Sequence, residues 1–142
     1  MINKKSIKYL SIITTTHGIG EKRVLLNSQE TSTPLTQIAV TRLKAGEAAE
    51  EHLHPTMEEF FLFQKGDASM TVGKEQITCS SGDFISIPAN TLHSLKAITD
   101  IEIITIGCAI HWYKPLIPQY FFLWALIPQY FFLWENFICW GV

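Results

Sequence analysis

Gly46-Glu-Ala-Ala-Glu-Glu-His52-Leu-His54-Pro-Thr-Met-Glu-Glu59-Phe-Phe-Leu-Phe-Gln-Lys-Gly66 is the stretch that decides the reading of this chain. His52 and His54 are two residues apart, so on an extended strand both imidazoles face the same side. The step from His54 to Glu59 is odd and would not keep that face along an unbroken strand. Pro55-Thr56 interrupts it and lets the chain re-enter in a new strand with the register reset. Gly66 and Gly82 then allow the chain to reverse, which carries His93 back toward the other three. Three imidazoles and one carboxylate at these spacings suit one metal ion held inside a small β-barrel. Nitrogen and carboxylate donors favour a borderline or fairly hard divalent ion, and four protein ligands leave up to two octahedral positions for substrate or oxygen.

On either side of this stretch the pattern is one of short β-branched and aromatic runs cut by turn residues, which reads as an all-β sandwich or barrel. The runs read as strands are Thr36 to Leu43, His52 to Leu53, Glu59 to Gln64, Ala68 to Val72, Glu75 to Cys79, Phe84 to Ile87, His93 to Ala97 and Ile101 to Ile110. Between them stand Ala45-Gly46, Lys65-Gly66-Asp67, Gly73-Lys74, Ser81-Gly82-Asp83 and Pro88-Ala-Asn90, residues that fix turns or reach positive φ. Alternation then aims the side chains. If Glu59 points inward, Phe61 and Phe63 point there with it and wall the cavity, as core residues first and substrate wall second.

Written as spacings, the first block is Gly46, five residues, His52-Leu53-His54, four residues, Glu59, six residues, Gly66. The second is Gly82, five residues, Pro88-Ala89-Asn90, two residues, His93. Together they resemble the two motifs of the cupin superfamily, over roughly residues 36 to 110. Asn90 stands where that pattern has glycine, a mild change because asparagine tolerates the left-handed conformation best among the other residues. Ala97 stands where it has asparagine. The resemblance implies a cupin-type jelly-roll barrel with a mononuclear site of His52, His54, Glu59 and His93. It also implies one divalent transition metal (iron, manganese, nickel or zinc) and a homodimer. Glu58 is the neighbouring alternative ligand, but only Glu59 leaves the six-residue gap to Gly66. A metal-free barrel with merely hydrogen-bonded histidines is the plain alternative to the metal site.

Other residues carry weaker signals. Arg42, one strand ahead of the first block, is a candidate for pairing with an anionic substrate group, although an ordinary surface charge explains it as well. His17 and His111 are lone histidines and read as structural, and Cys79 and Cys108 read as apolar filler. His17-Gly18-Ile19-Gly20 is too bare a match to a phosphate loop to carry weight.

Composition excludes several classes. Eleven Lys plus Arg against 13 Asp plus Glu, with no long basic run, lack the electrostatic footprint of a nucleic-acid binder. Three widely spaced cysteines with no Cys-x-x-Cys fit thiols in a reducing compartment. The apolar stretch behind Lys4 and Lys5 is too short for a signal peptide, so a cytoplasmic location is expected.

The chain divides into a lead-in over residues 1–35, a barrel over 36–111 and an aromatic hydrophobic tail over 112–142. In the lead-in, Val24-Leu25-Leu26 reads as a strand on a sheet edge and Asn27 to Pro34 as a polar loop. In the tail, Leu116 to Trp124 recurs unchanged as Leu126 to Trp134, and 12 of the 17 aromatic residues lie between Trp112 and Trp140, so a separate element has been appended. Residues 115–134 have the length of a membrane span, but Pro118, Pro128, Gln119 and Gln129 argue against one. A neutral extension, membrane contact and packing onto the barrel or a second copy are the readings of this tail.

The function expected is a metal-dependent enzyme of oxygenase or isomerase type acting on a small polar molecule such as a sugar or organic acid. Once Glu59 is a ligand, the nearby acids Glu50, Glu51, Glu58 and Asp83 offer no clear general base, which favours metal-centred chemistry. The rivals are a non-catalytic metal-containing module that binds a small molecule, and a peripheral membrane protein anchored through residues 115–140.

Overall fold

The computed structural model describes residues 2–15 and 17–110. Nine strands are found among them: β1 (Glu21–Asn27), β2 (Leu35–Leu43), β3 (Ala48–His52), β4 (Met57–Lys65), β5 (Ala68–Val72), β6 (Glu75–Cys79), β7 (Phe84–Ile87), β8 (His93–Ala97) and β9 (Ile101–Ala109). They form two antiparallel sheets, one in the order β1-β2-β9-β4-β7 and one in the order β3-β8-β5-β6. Most runs read as strands are strands. The Val24 to Leu26 run extends to seven residues and pairs with β2 at the sheet edge.

Register aims the side chains. In an antiparallel ladder directly opposed residues share a face, so the partners Leu43 and Ile101, then Thr41, Ile103 and Phe63, then Ala39, Thr105 and Phe61, stack as successive inward rungs. From the other sheet Ala68, Met70, Leu95 and Ala97 join Phe61, Phe63, Ile101 and Ile103 in one core. Phe63, Met70, Ile87, Ile103 and Cys79 are the largest fully buried side chains, each aliphatic or aromatic one contributing about 1.5–3 kcal/mol. Cys79 lies in this core, and burial pushes its thiol pKa up, as suits a packing residue.

Two turns hold segments that carry the cluster, Glu59 on β4 and the histidines on either side of it. Gly66, at φ 79°, reverses the chain between β4 and β5; a Cβ there would collide with the Asp100 carbonyl and the Thr99 hydroxyl. Asn90, at φ 62°, is the one non-glycine residue with positive φ among the described residues. Its N–H donates to the His54 carbonyl at 2.8 Å, tying the turn before β8 to the connection before β4.

Most strand bounds shift by only a residue or two, and the shift that bears on the site is at His52. The strand expected over His52 to Leu53 runs instead from Ala48 to His52, so His52 ends β3 and His54 lies beyond it. Pro55 supplies the reason: it has no N–H for a ladder and restricts the backbone of the residue before it. The readings of the tail fall on residues outside the described ones. Among the described residues, no helix is long and apolar enough to cross a membrane.

Candidate metal centre

Four separate segments deliver the cluster. His52 closes β3, His54 sits in the following connection, Glu59 lies on β4, and His93 opens β8 directly opposite His52 in the β3–β8 ladder. One ligand-type atom from each of the four lies within 4.8 Å of the others. Glu59 Oε2 is 3.2 Å from His54 Nε2 and 3.1 Å from His93 Nε2. The His52 and His93 ring centroids are 4.3 Å apart and those of His54 and His93 5.6 Å. Alternation along β4 puts Glu58, whose partner is Cys108, on the face opposite Glu59.

The surroundings orient the rings. His52 Nδ1 is 2.7 Å from the Glu50 carbonyl and His93 Nδ1 is 2.9 Å from the Thr91 carbonyl. A carbonyl oxygen only accepts, so both Nδ1 atoms donate and both Nε2 atoms are left to face the centre. Backbone partners of this kind fix the tautomer of a metal-ligating histidine. The donor set, its spacing and these outer hydrogen bonds therefore fit a divalent transition metal.

Electrostatics within the cluster follow from burial and mutual contact. Burial pushes the Glu59 carboxyl up, but the His93 hydrogen bond and the charges of His54, His93 and His52 outweigh it and hold the pKa below the usual carboxylate range. For His93, burial lowers, yet the hydrogen bonds to Glu59 and to the Thr91 carbonyl, with the Glu59 charge, raise the pKa above the usual histidine range. His54 moves the other way: burial dominates, and His52 and His93 add to it against Glu59.

Other expected residues are placed unequally. Phe61 is buried on the inward face of β4 with its ring centroid 6.4 Å from that of His93, and Phe63 is fully buried further along the same face. Arg42 is not brought to the cluster. It alternates with inward Thr41 and Leu43, so it faces outward, where its Nε lies 2.6 Å from Glu102 Oε2. With Lys44, Asp100 and Glu102 it lines a separate cleft of about 540 Å³ whose opposite charges already pair.

His17, expected from the sequence to be structural, lies at the cluster. Its ring centroid is 4.3 Å from that of His52. The segment that carries it is closed by reciprocal backbone hydrogen bonds between Ile13 and Lys22 at 2.9 Å and by a turn in which the Gly18 N–H donates to the Thr15 carbonyl. Burial and then His52 keep its pKa below the usual histidine value, so it is neutral at neutral pH. No local spacing links residue 17 to residue 52; the segment that carries His17 is fixed by long-range contacts, the pairing of β1 with β2 and the Ile13–Lys22 bridge.

Residues 39–107 match the cupin domain family, so the barrel over these residues is a cupin domain. No curated protein sequence matches the chain. Among solved structures it is similar to a predicted oxalate decarboxylase from Thermotoga maritima, with 17% identity, TM-score 0.68, and 74% of this chain and 97% of that one covered. It is similar to ectoine synthase from P. lautus, with 16% identity, TM-score 0.67, and coverages of 75% and 78%. It also resembles KdgF from Halomonas sp., with 16% identity, TM-score 0.59, and coverages of 72% and 87%. Likeness at these identities concerns the fold.

Proposed function

We propose that this chain is a metal-dependent cupin enzyme of oxygenase or isomerase type, acting on a small polar molecule such as a sugar or organic acid. One divalent transition metal would be held by His52, His54, Glu59 and His93. The observation that carries this reading is the meeting of four donor side chains within 4.8 Å, with two histidine rings oriented from behind by backbone carbonyls. The names of structurally similar proteins, which include a predicted oxalate decarboxylase and ectoine synthase, agree with an enzymatic role.

The metal would supply Lewis acidity and open positions for substrate oxygens or dioxygen. The residues do the rest. His93 is buried, whereas His52, His54 and Glu59 are half-buried, so a ligand approaches from their side. Phe61 closes the inner wall and excludes water there. His17, exposed and neutral beside His52, is placed to accept or return a proton at the mouth of the site. The non-catalytic small-molecule module remains the rival reading.

Elemental analysis of the purified protein tests the proposal. About one equivalent of iron, manganese, nickel or zinc per chain is expected, falling to background in a His52→Ala/His54→Ala variant that keeps its β-sheet circular dichroism. Absence of stoichiometric metal, or metal retained by that variant, overturns it.

A further inference from the structure

Lys22 occupies an unusual position for an ammonium group. On β1 it opposes Thr41, and the same rung continues through Ile103 to Phe63, so its side chain starts on the inward face of the five-stranded sheet. The neighbouring rung carries Val24, Ala39, Thr105 and Phe61, and the rung beyond it Gly107 and Glu59. Lys22 is half-buried, and among the described residues it forms no ion pair and no side-chain hydrogen bond. Burial pulls its pKa below the usual lysine range, and the Glu59 carboxylate partly offsets that.

Glu59 does not pair with it directly: no Lys22 ion pair is found among the described residues, and Glu59 Oε2 lies against His54 and His93. Between the Lys22 rung and the Glu59 rung stands Thr105, whose Oγ1 is buried without a hydrogen-bond partner. A half-buried ammonium without a partner and an orphaned buried hydroxyl each carry a desolvation cost. Their neighbours Val24, Ala39, Phe61 and Ile103 are apolar, and the Thr41 hydroxyl opposite Lys22 forms no hydrogen bond with it among the described residues. One ligand group satisfies both: an oxyanion, which accepts from the hydroxyl and pairs with the ammonium where the low dielectric strengthens the attraction.

We propose that the barrel interior beside the His/Glu cluster holds a carboxylate of its ligand on Lys22 and Thr105, so that the substrate is a small organic anion with a second oxygen donor directed at the cluster. The proposal rests on the metal-centre reading for that second donor, and not for the anion subsite itself. Lys22 therefore takes the part for which Arg42 was a candidate.

Calorimetric titration of the purified protein at neutral pH with malonate and with its neutral analogue malonamide tests this, with metal content measured in every sample. Malonate should bind wild type at least about tenfold more tightly than malonamide. Lys22→Met should weaken malonate about 10- to 100-fold and leave malonamide and metal content unchanged. Lys22→Arg should recover most of the loss, and Thr105→Val should cost about fivefold. Lys22→Gln and thermal melts guard against a folding defect in any one variant. Malonate binding that ignores Lys22, or no malonate binding by wild type, overturns the proposal. If the protein carries no metal, the parent reading fails by itself; Lys22-dependent malonate binding to the metal-free protein then still upholds the anion subsite, and its absence overturns that too.

Discussion

Glu59 Oε2 lies 3.1 Å from His93 Nε2, while His93 Nδ1 lies 2.9 Å from the Thr91 carbonyl. Both ring nitrogens thus face acceptors, which favours the doubly protonated imidazolium in the metal-free protein and accounts for the raised pKa of His93. A metal must displace the Nε2 proton to reach the same lone pair.

The pH dependence follows from these two shifts. Glu59 is lowered, so its contribution to metal-free stability is full above the ordinary glutamate value of about 4.3 and is lost as pH falls through its own lower value. His93 is raised, so its contribution is full below the ordinary histidine value of about 6.5 and is lost as pH rises through its higher value. The stability gap between wild type and Glu59→Gln, measured by urea unfolding of chelator-treated protein, should therefore be widest between those two ordinary values and narrow on both sides. A gap that is flat with pH contradicts the pairing. Metal affinity should in turn begin to weaken above pH ~6.5 as the solution is acidified, because His93 takes up its proton early.

His17 touches His52 but is not one of the four residues whose donor atoms converge. His17→Ala should keep stoichiometric metal, with a smaller affinity loss than the about 10- to 100-fold usual for removing a hydrogen-bond partner of a ligand. His93→Ala should lose stoichiometric metal. Elemental analysis after dialysis distinguishes the two.

Gly66 and Gly82 both have positive φ but differ in what surrounds them. Gly82→Ala meets nothing within 4 Å and should cost only the left-handed penalty of about 1–2 kcal/mol. Gly66→Ala adds collisions with the Asp100 carbonyl and the Thr99 hydroxyl, and should cost more than about 3 kcal/mol or abolish folding. Thermal or urea unfolding reads the difference.

Phe63 is fully buried, whereas Phe84 is 58% exposed. Phe63→Ala should destabilise by about 3–5 kcal/mol through the cavity it leaves, and Phe84→Ala by less than about 1 kcal/mol. Equal effects would contradict the inward orientation of the odd residues of β4.

Much of this was legible in the sequence because it is written in local periods. The alternation of Glu59, Phe61 and Phe63 gave the inward face of β4, and the paired motifs named the four residues that meet. Arg42 is a candidate on its charge alone, but the alternation of β2 turns Thr41 and Leu43 on either side of it inward and leaves it outside, paired with Glu102. Lys22 and His17 were not legible. Both lie before the motifs, and their place beside the cluster depends on β1 pairing with β2 and on the Ile13–Lys22 bridge, contacts that no short-range pattern announces.

The four convergent side chains come from both halves of the sandwich: β3 and β8 belong to one sheet and β4 to the other. An ion seated among them would act as a rivet through the two layers, coupling catalytic competence to mechanical cohesion. Because such a ligand favours only the folded form, the lifetime of this protein against thermal unfolding and proteolysis would rise and fall with the supply of free metal around it.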